Sequence, residues 1–206
     1  GAKAEATVFR GGRTRTDRYS AAVANGIAAD WCELDEGYRK APCHGGLSVL
    51  PALWAEAEAE GRTVRELLRA LVIGYEVVTR FARSFPFADM TLHPHATLPA
   101  IGAAAGLAAV RRLPAETFLY AVTGASTMIA PGPFNHALKG ALIRNVWAGT
   151  GAWVGFRSVD WALFGIGGVA ASPYDVFVVG LGTEARPSEL TADLGRSWGI
   201  ADGYHK

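Results

Sequence analysis

Apolar positions along this chain recur mostly at intervals of three and four, the spacing of one helix face. The clearest case runs from Val64 to Phe81. Val64, Leu67, Leu68, Leu71, Val72, Tyr75, Val78 and Phe81 are apolar, while Arg65, Arg69, Glu76 and Arg80 fall largely outside that stripe. Thr63 and Glu66 form a T-x-x-E capping box ahead of it, in which each side chain satisfies the other's free backbone N–H. Glu76 and Arg80 have the i,i+4 spacing of an ion pair, and Phe85-Pro86 ends the pattern.

The same logic places the other elements. Residues 1–15, with Gly11-Gly12 and several arginines, read as an irregular lead-in. A helix of small apolar residues starts near Asp17, and a polar turn from Glu33 to Cys43 follows it. A second helix is expected from His44 to Glu60 and another from Ala96 to Arg112, with Met90–His95 a loop or the start of that helix. Pro114 suits the first turn of a helix over Ala115–Ser126. Ile129–Gly140 is rich in Pro and Gly and reads as a loop, and a helix is expected from Leu142 to about Arg157. Gly165–Gly168 is a turn, Pro173–Gly180 a short helix, and the tail from Thr183 is polar and ambiguous. No long stretch alternates with period two, so the expected fold is all-α.

Composition narrows the functional classes. The chain has 206 residues, half of them hydrophobic, which is ample for a buried core. Twenty basic residues against nineteen acidic ones give a net charge of +1 and no electrostatic footprint for nucleic acid. The longest apolar run, Ala96 to Val110, is shorter than the ~20 residues a membrane span needs. Cys32 and Cys43 lack the spacing of a zinc site and read as free thiols in a reducing, cytoplasmic setting. There is no GxxxxGK[ST] loop, complete GxGxxG, GxSxG elbow or HExxH. Nucleotide hydrolysis, Rossmann-type hydride transfer, α/β-hydrolase chemistry and zincin proteolysis are therefore disfavoured.

Three clusters could carry chemistry. Glu33, Asp35 and Glu36 followed by His44 are either an acid/base set or a solvated turn before a helix. His93-Pro94-His95 is a weak metal signal, and ordinary histidines serve as well; no metal is predicted. Lys139, Arg144 and Asn145 stand at a glycine-flanked helix start, as an anion site or as ordinary loop charge.

Together these clusters resemble the MmgE/PrpD family, which includes 2-methylcitrate dehydratases, cis-aconitate decarboxylases and iminodisuccinate epimerases. Asn25-Gly26 ahead of Glu33–Glu36 resembles the family's NG-x-A-x-H-x-x-D-F-D-D, with His44 matching the histidine after it. His93-Pro94 with Ile101–Ala105 resembles HPT-x-x-x-G-A-x-G-A-A-A-A. Arg144 through Gly149, Ala152 and Gly155 resembles the K-x-x-x-x-G segment. The order and intervals agree over nearly the whole chain. There are departures: Glu33 stands for the usual Asp, Gly37 for Thr or Ser, and Arg144 for Lys. The interval from Glu33 to His44 is one residue longer.

The resemblance implies a partial helical domain over residues 1–206, with residues 183–206 starting the connection to an α+β domain. It further implies additional helices before Gly1, an active site between the two domains, a homodimer and no cofactor. By matching position, His93, His44 and Glu33 would be catalytic. Arg144, Lys206 and Asp35 would bind substrate. The implied reaction is that of a carbon–oxygen lyase of the dehydratase type on a small di- or tricarboxylate such as a 2-methylcitrate-like acid. It begins with proton abstraction beside a carboxylate, by His93 or His44. Glu33 orients a histidine or acts as partner acid, and Arg144 anchors a substrate carboxylate. Arg cannot give up a proton but forms a bidentate carboxylate contact, so an anchoring role survives the change from Lys. The same abstraction serves an epimerase or isomerase; a decarboxylase on a related polycarboxylate is a further alternative, revealed by carbon dioxide release, and the departures also suit a non-catalytic helical scaffold.

Overall fold

The computed structural model describes residues 3–9 and 14–206. The expectation for Gly11-Gly12 lies outside the described residues. On either side of it the lead-in is not wholly irregular: β1 (Ala6–Thr7) pairs antiparallel with β2 (Arg15–Thr16). Helix α1 (Arg18–Asp30) follows, its N-terminus capped by Asp17 accepting from the Ser20 N–H at 2.9 Å. After a turn come β3 (Gly37–Tyr38), α2 (Gly45–Ala59) and α3 (Val64–Ser84). The chain continues through α4 (Pro94–Thr97), α5 (Pro99–Val110), α6 (Ala115–Ser126) and α7 (Phe134–Leu138). A 3-10 turn (Leu142–Val146) leads into α8 (Trp147–Ala162). Helix α9 (Ser172–Tyr174) runs into a π-helical turn, Asp175–Gly180. Two 3-10 turns, Pro187–Leu190 and Gly199–Asp202, precede β4 (Gly203–Tyr204), which pairs antiparallel with β3.

The fold is all-α, with two small two-stranded ladders among the described residues. Among the described residues, no helix is long and apolar enough to cross a membrane. Helix α5 is the central rod, nearly every residue buried against α2, α3, α6 and α8. Its composition explains this: Ala and Gly side chains let neighbouring backbones approach. A Cβ on Gly106 would stand 2.6 Å from Val49 Cγ1, closer than real Cβ contacts. Helices α1 and α8 cross as tightly, where a Cβ on Gly26 would lie 2.8 Å from the Gly149 Cα. That crossing fixes the C-terminal end of α1 beside the turn that opens α8. An ion network clamps the far side, with Arg111 bonding Glu56 at 2.7 Å and Asp160 at 2.8 Å.

Several expected boundaries shift. The helix expected over Ala96–Arg112 is split, because the chain bends at Leu98-Pro99 before α5 begins. The Pro- and Gly-rich loop contains α7. The first turn of the helix expected from Leu142 is 3-10. Helix α3 carries its capping box as expected, with Thr63 N–H donating to Glu66 Oε2 at 2.9 Å. Its stripe is only partly the core face: Leu67, Tyr75, Val78 and Phe81 are buried, whereas Val64 and Leu68 are exposed. Glu76 and Arg80 are buried and paired at 2.6 Å. The ambiguous tail covers them. Arg80 Nη1 donates to the carbonyls of Glu189, Leu190 and Ala192, and the Gly199 N–H donates to Glu76 at 2.5 Å.

Candidate active site

Five segments converge on one region: the end of α1, the turn after it, the N-terminus of α2, the N-terminus of α4, and the 3-10 turn before α8. The β3–β4 ladder adds a sixth. Its register pairs Gly37 with Tyr204 and so carries Lys206 opposite Asp35. Lys206 Nζ lies 3.4 Å from Asp35 Oδ1 and 3.9 Å from Glu33 Oε2.

Glu36 shapes the α2 N-terminus. Its carboxylate accepts from the Gly46 N–H at 2.6 Å and the Leu47 N–H at 3.3 Å, completing donors that a helix start leaves free. Burial pushes the Glu36 carboxyl above its ordinary range even so. With that end satisfied, the N-cap residue His44 turns its ring to Asp35. His44 Nδ1 sits 2.7 Å from the Glu36 carbonyl and 2.6 Å from Asp35 Oδ2. The hydrogen bond to the Glu36 carbonyl, with the Asp35 carboxylate beside it as an ion-pair contact, assigns the ring proton to Nδ1 and leaves Nε2 with its lone pair. Burial alone would raise the Asp35 carboxyl, but its close contacts with His44 and His95 outweigh this and hold it well below the usual carboxylate range.

His93 caps α4, its Nδ1 accepting from the His95 backbone N–H at 3.2 Å. That bond occupies the Nδ1 lone pair and assigns the neutral ring's proton to Nε2. Burial, then the neighbouring His95 and His44 rings, lowers the His93 imidazole to about 4, so it is neutral at pH 7. Its ring stacks on Phe134 with centroids 5.2 Å apart.

His44 and His93 share the wall of an open cleft of about 490 Å³ with Arg39, Lys40, Phe134 and Tyr204. An adjoining apolar cavity of about 50 Å³ between Phe85, Leu98 and Phe177 has no ionisable side chain in its wall. Glu33 and Arg144 lie elsewhere in the cluster and pair with each other. Arg144 Nη2 is also 3.6 Å from the buried Asp30. Glu33 occupies the left-handed backbone region at φ 57°, which non-glycine residues rarely adopt and which marks a constrained turn.

Of the sequence-derived candidates, the structure gathers His44, Asp35, His93 and Lys206 around the cleft side. It sets Glu33 against Arg144 rather than against a histidine. Sequence reasoning assigned no role to Asp30, Arg39 or Lys40 and gave His95 only a weak metal signal. Two signals were present in the motifs: Asp30 stands where NG-x-A-x-H has its histidine, and His95 where HPT has its threonine. The two touch, His95 Nδ1 lying 3.1 Å from Asp30 Oδ1.

Asp35, His44 and His95 are the one group among the described residues with donor atoms close enough to consider for a metal ion. Their separations are those of a polar chain. Two donors about 2.0–2.2 Å from a tetrahedral ion stand roughly 3.3 Å apart, whereas Asp35 Oδ2 and His44 Nδ1 are 2.6 Å apart. His44 Nδ1 is in addition engaged with the Glu36 carbonyl.

A helical domain built on a central rod rich in Ala and Gly, with an acidic turn and two helix starts that carry a histidine at the N-cap position facing one cleft, defines the class. The chain belongs to the MmgE/PrpD family: it matches the MmgE/PrpD N-terminal domain over residues 1–176. It is similar to the cis-aconitate decarboxylase-like protein oryM of Aspergillus oryzae, with 27% identity over 198 residues, 87% of this chain and 41% of that relative. The chain thus spans about two-fifths of the length of this curated relative. Family membership supports a lyase-type reading at the level of the family.

Proposed function

We propose that this chain contributes the helical half of a cofactor-independent lyase acting on a small di- or tricarboxylate by proton abstraction next to a carboxylate. The observation that carries the reading is the Asp35–His44 contact at 2.6 Å, with His44 on the wall of the cleft and Asp35 buried behind it. His44 Nε2 is the acceptor for the substrate proton, and Asp35 stabilises the imidazolium that forms. His93, neutral with its proton on Nε2, donates to the enolate oxygen as negative charge develops there. His44 is preferred as base over His93, whose Nδ1 lone pair is already engaged.

Cations must stand where substrate carboxylates bind. Arg144 anchors one only when Glu33 releases it, and the exposure of Glu33, 56% of its side chain, suits that exchange. Lys206 is a second binding residue, and Arg39 and Lys40 add positive charge at the cleft wall. The enolate electrons then expel the β-hydroxyl, which takes the proton held by the His44 imidazolium and leaves as water, completing a dehydration of the dehydratase type on a 2-methylcitrate-like acid. Decarboxylation is the second reading, favoured by the name of the similar Aspergillus protein. The assembly is a cytoplasmic homodimer in this account. The exposed apolar Leu163, Phe164, Ile166 and Val169 after α8 support association.

The test is turnover of methylcitrate, citrate, cis-aconitate and iminodisuccinate by the intact protein, followed by absorbance or heat release, with Arg144→Ala alongside. Turnover lost in the variant supports polycarboxylate chemistry. Carbon dioxide release identifies a decarboxylase, and altered chirality without elimination an epimerase. Silence on every acid from a folded protein overturns the proposal.

A further inference from the structure

Two buried ionisable residues behind the cleft have no part in the reaction above. Asp30, at the end of α1, is fully buried, and His95 on α4 is 2% exposed. His95 Nδ1 lies 3.1 Å from Asp30 Oδ1, and its Nε2 lies 3.3 Å from Asp35 Oδ2. A neutral imidazole has one N–H and one lone pair, so it would turn a lone pair on one of these carboxylates. Only the doubly protonated ring offers a proton to both. Neither ring nitrogen makes an aligned hydrogen bond to these carboxylates or to any other group, so the two contacts are ion-pair approaches that a charged ring satisfies and a neutral one does not.

The remaining charges fit this state. His44 and His93 approach the His95 ring with centroids at 4.3 and 4.5 Å. Arg144 stands 3.6 Å from Asp30 and Lys206 3.4 Å from Asp35, one cation at each outer end of the chain. The imidazolium thus lies between two carboxylates, and the cations lie beyond them.

We propose that Asp30 and His95 are positioning residues, forming a buried carboxylate–imidazolium–carboxylate chain that fixes Asp35 and, through it, His44. This rests on the reading of His44 as the base. An uncompensated Asp35 carboxylate would stabilise protonated His44 and leave the base already occupied. The His95 charge offsets that pull, so Asp35 orients His44 while His44 stays free to accept a proton. Burial alone would lower the His95 imidazole; the Asp30 and Asp35 contacts outweigh it and raise it above its ordinary value.

The experiment is nitrogen NMR of the intact protein labelled at histidine, with the signals of the five histidines in this chain assigned. In the wild type at pH 7, both ring nitrogens of His95 are expected to carry protons; a neutral His95 overturns the proposal. In His95→Gln at pH 7, the His44 Nε2 signal should move toward the protonated form relative to the wild type, because a neutral amide no longer offsets Asp35. Asp30→Asn, which weakens the hold on the His95 charge, should move it in the same direction. This second variant decides the matter if the first fails to fold. An unmoved His44 Nε2 signal in a folded variant overturns the proposal. Turnover is scored separately. An active protein with a neutral His95 sinks the chain alone. A protein silent on every acid, yet with a charged His95, supports the buried chain and removes the catalytic reading.

Discussion

Replacing His93 should change how acid unfolds this protein. His93 is 7% exposed, and burial with two neighbouring imidazoles lowers its folded-state value from 6.5 to about 4. In the unfolded chain the ring regains its ordinary value. Below pH 6.5 the unfolded chain therefore binds the proton first, and folding loses stability until the folded value near 4 is passed. At 1.36 kcal/mol per unit, a gap of roughly 2.5 units is worth at most about 3 kcal/mol, and about 2.5 kcal/mol has been lost by pH 4.5. His93→Asn is the informative variant. Its side-chain oxygen can replace Nδ1 in accepting the His95 N–H, and Asn is a favoured N-cap. Urea unfolding of both proteins at pH 7.5 and 4.5 gives the difference directly. The other titrating groups are common to both proteins and largely cancel. The variant should lose about 2 kcal/mol less than the wild type between the two pH values. Equal losses, to within about 0.5 kcal/mol, would refute the reasoning.

Other perturbations follow from the same geometry. Asp35→Asn should lower turnover by roughly 10²–10⁴-fold with the helical circular dichroism unchanged, because the partner of His44 Nδ1 loses its charge; steady-state kinetics on whichever acid is turned over would show it. Arg144→Met removes the guanidinium from Asp30, which keeps His95, and leaves the half-exposed Glu33 unpaired, and should cost about 1–3 kcal/mol in denaturant unfolding. Pairing it with Asp30→Asn should recover part of that loss. Gly106→Val drives side-chain atoms into Val49 and should cost about 1–3 kcal/mol or more, read as a lowered Tm.

How much of this was legible in the sequence depends on the range of the interaction involved. The capping box of α3 is local, four residues from end to end, and appears as read. The Ala- and Gly-rich run of α5 announced a buried helix, because close packing makes use of such residues. The tail was not legible. Its 3-10 turns are held by Arg80 and Glu76, each more than a hundred residues away, and β4 is two residues long, too short to show a period. The same contacts explain why Glu76 and Arg80, polar and spaced as a surface pair, are buried. At the site, the acidic turn and His44 were found by spacing and family resemblance. Their partners were not, since Asp35 rather than Glu33 reaches the imidazole and the choice depends on the left-handed turn at Glu33. Asp30 and His95 were hidden because each looks like ordinary variation until the two are seen in contact.

The central claim is that His44 removes a proton beside a substrate carboxylate. Proton NMR in deuterated water tests it most directly, with the intact protein incubated with each di- or tricarboxylate. The account predicts loss of the signal of the hydrogen next to the carboxylate, by exchange or elimination, and its persistence when His44→Asn is used instead. Undiminished signals with the folded wild type on every acid, or equal loss with His44→Asn, would contradict it.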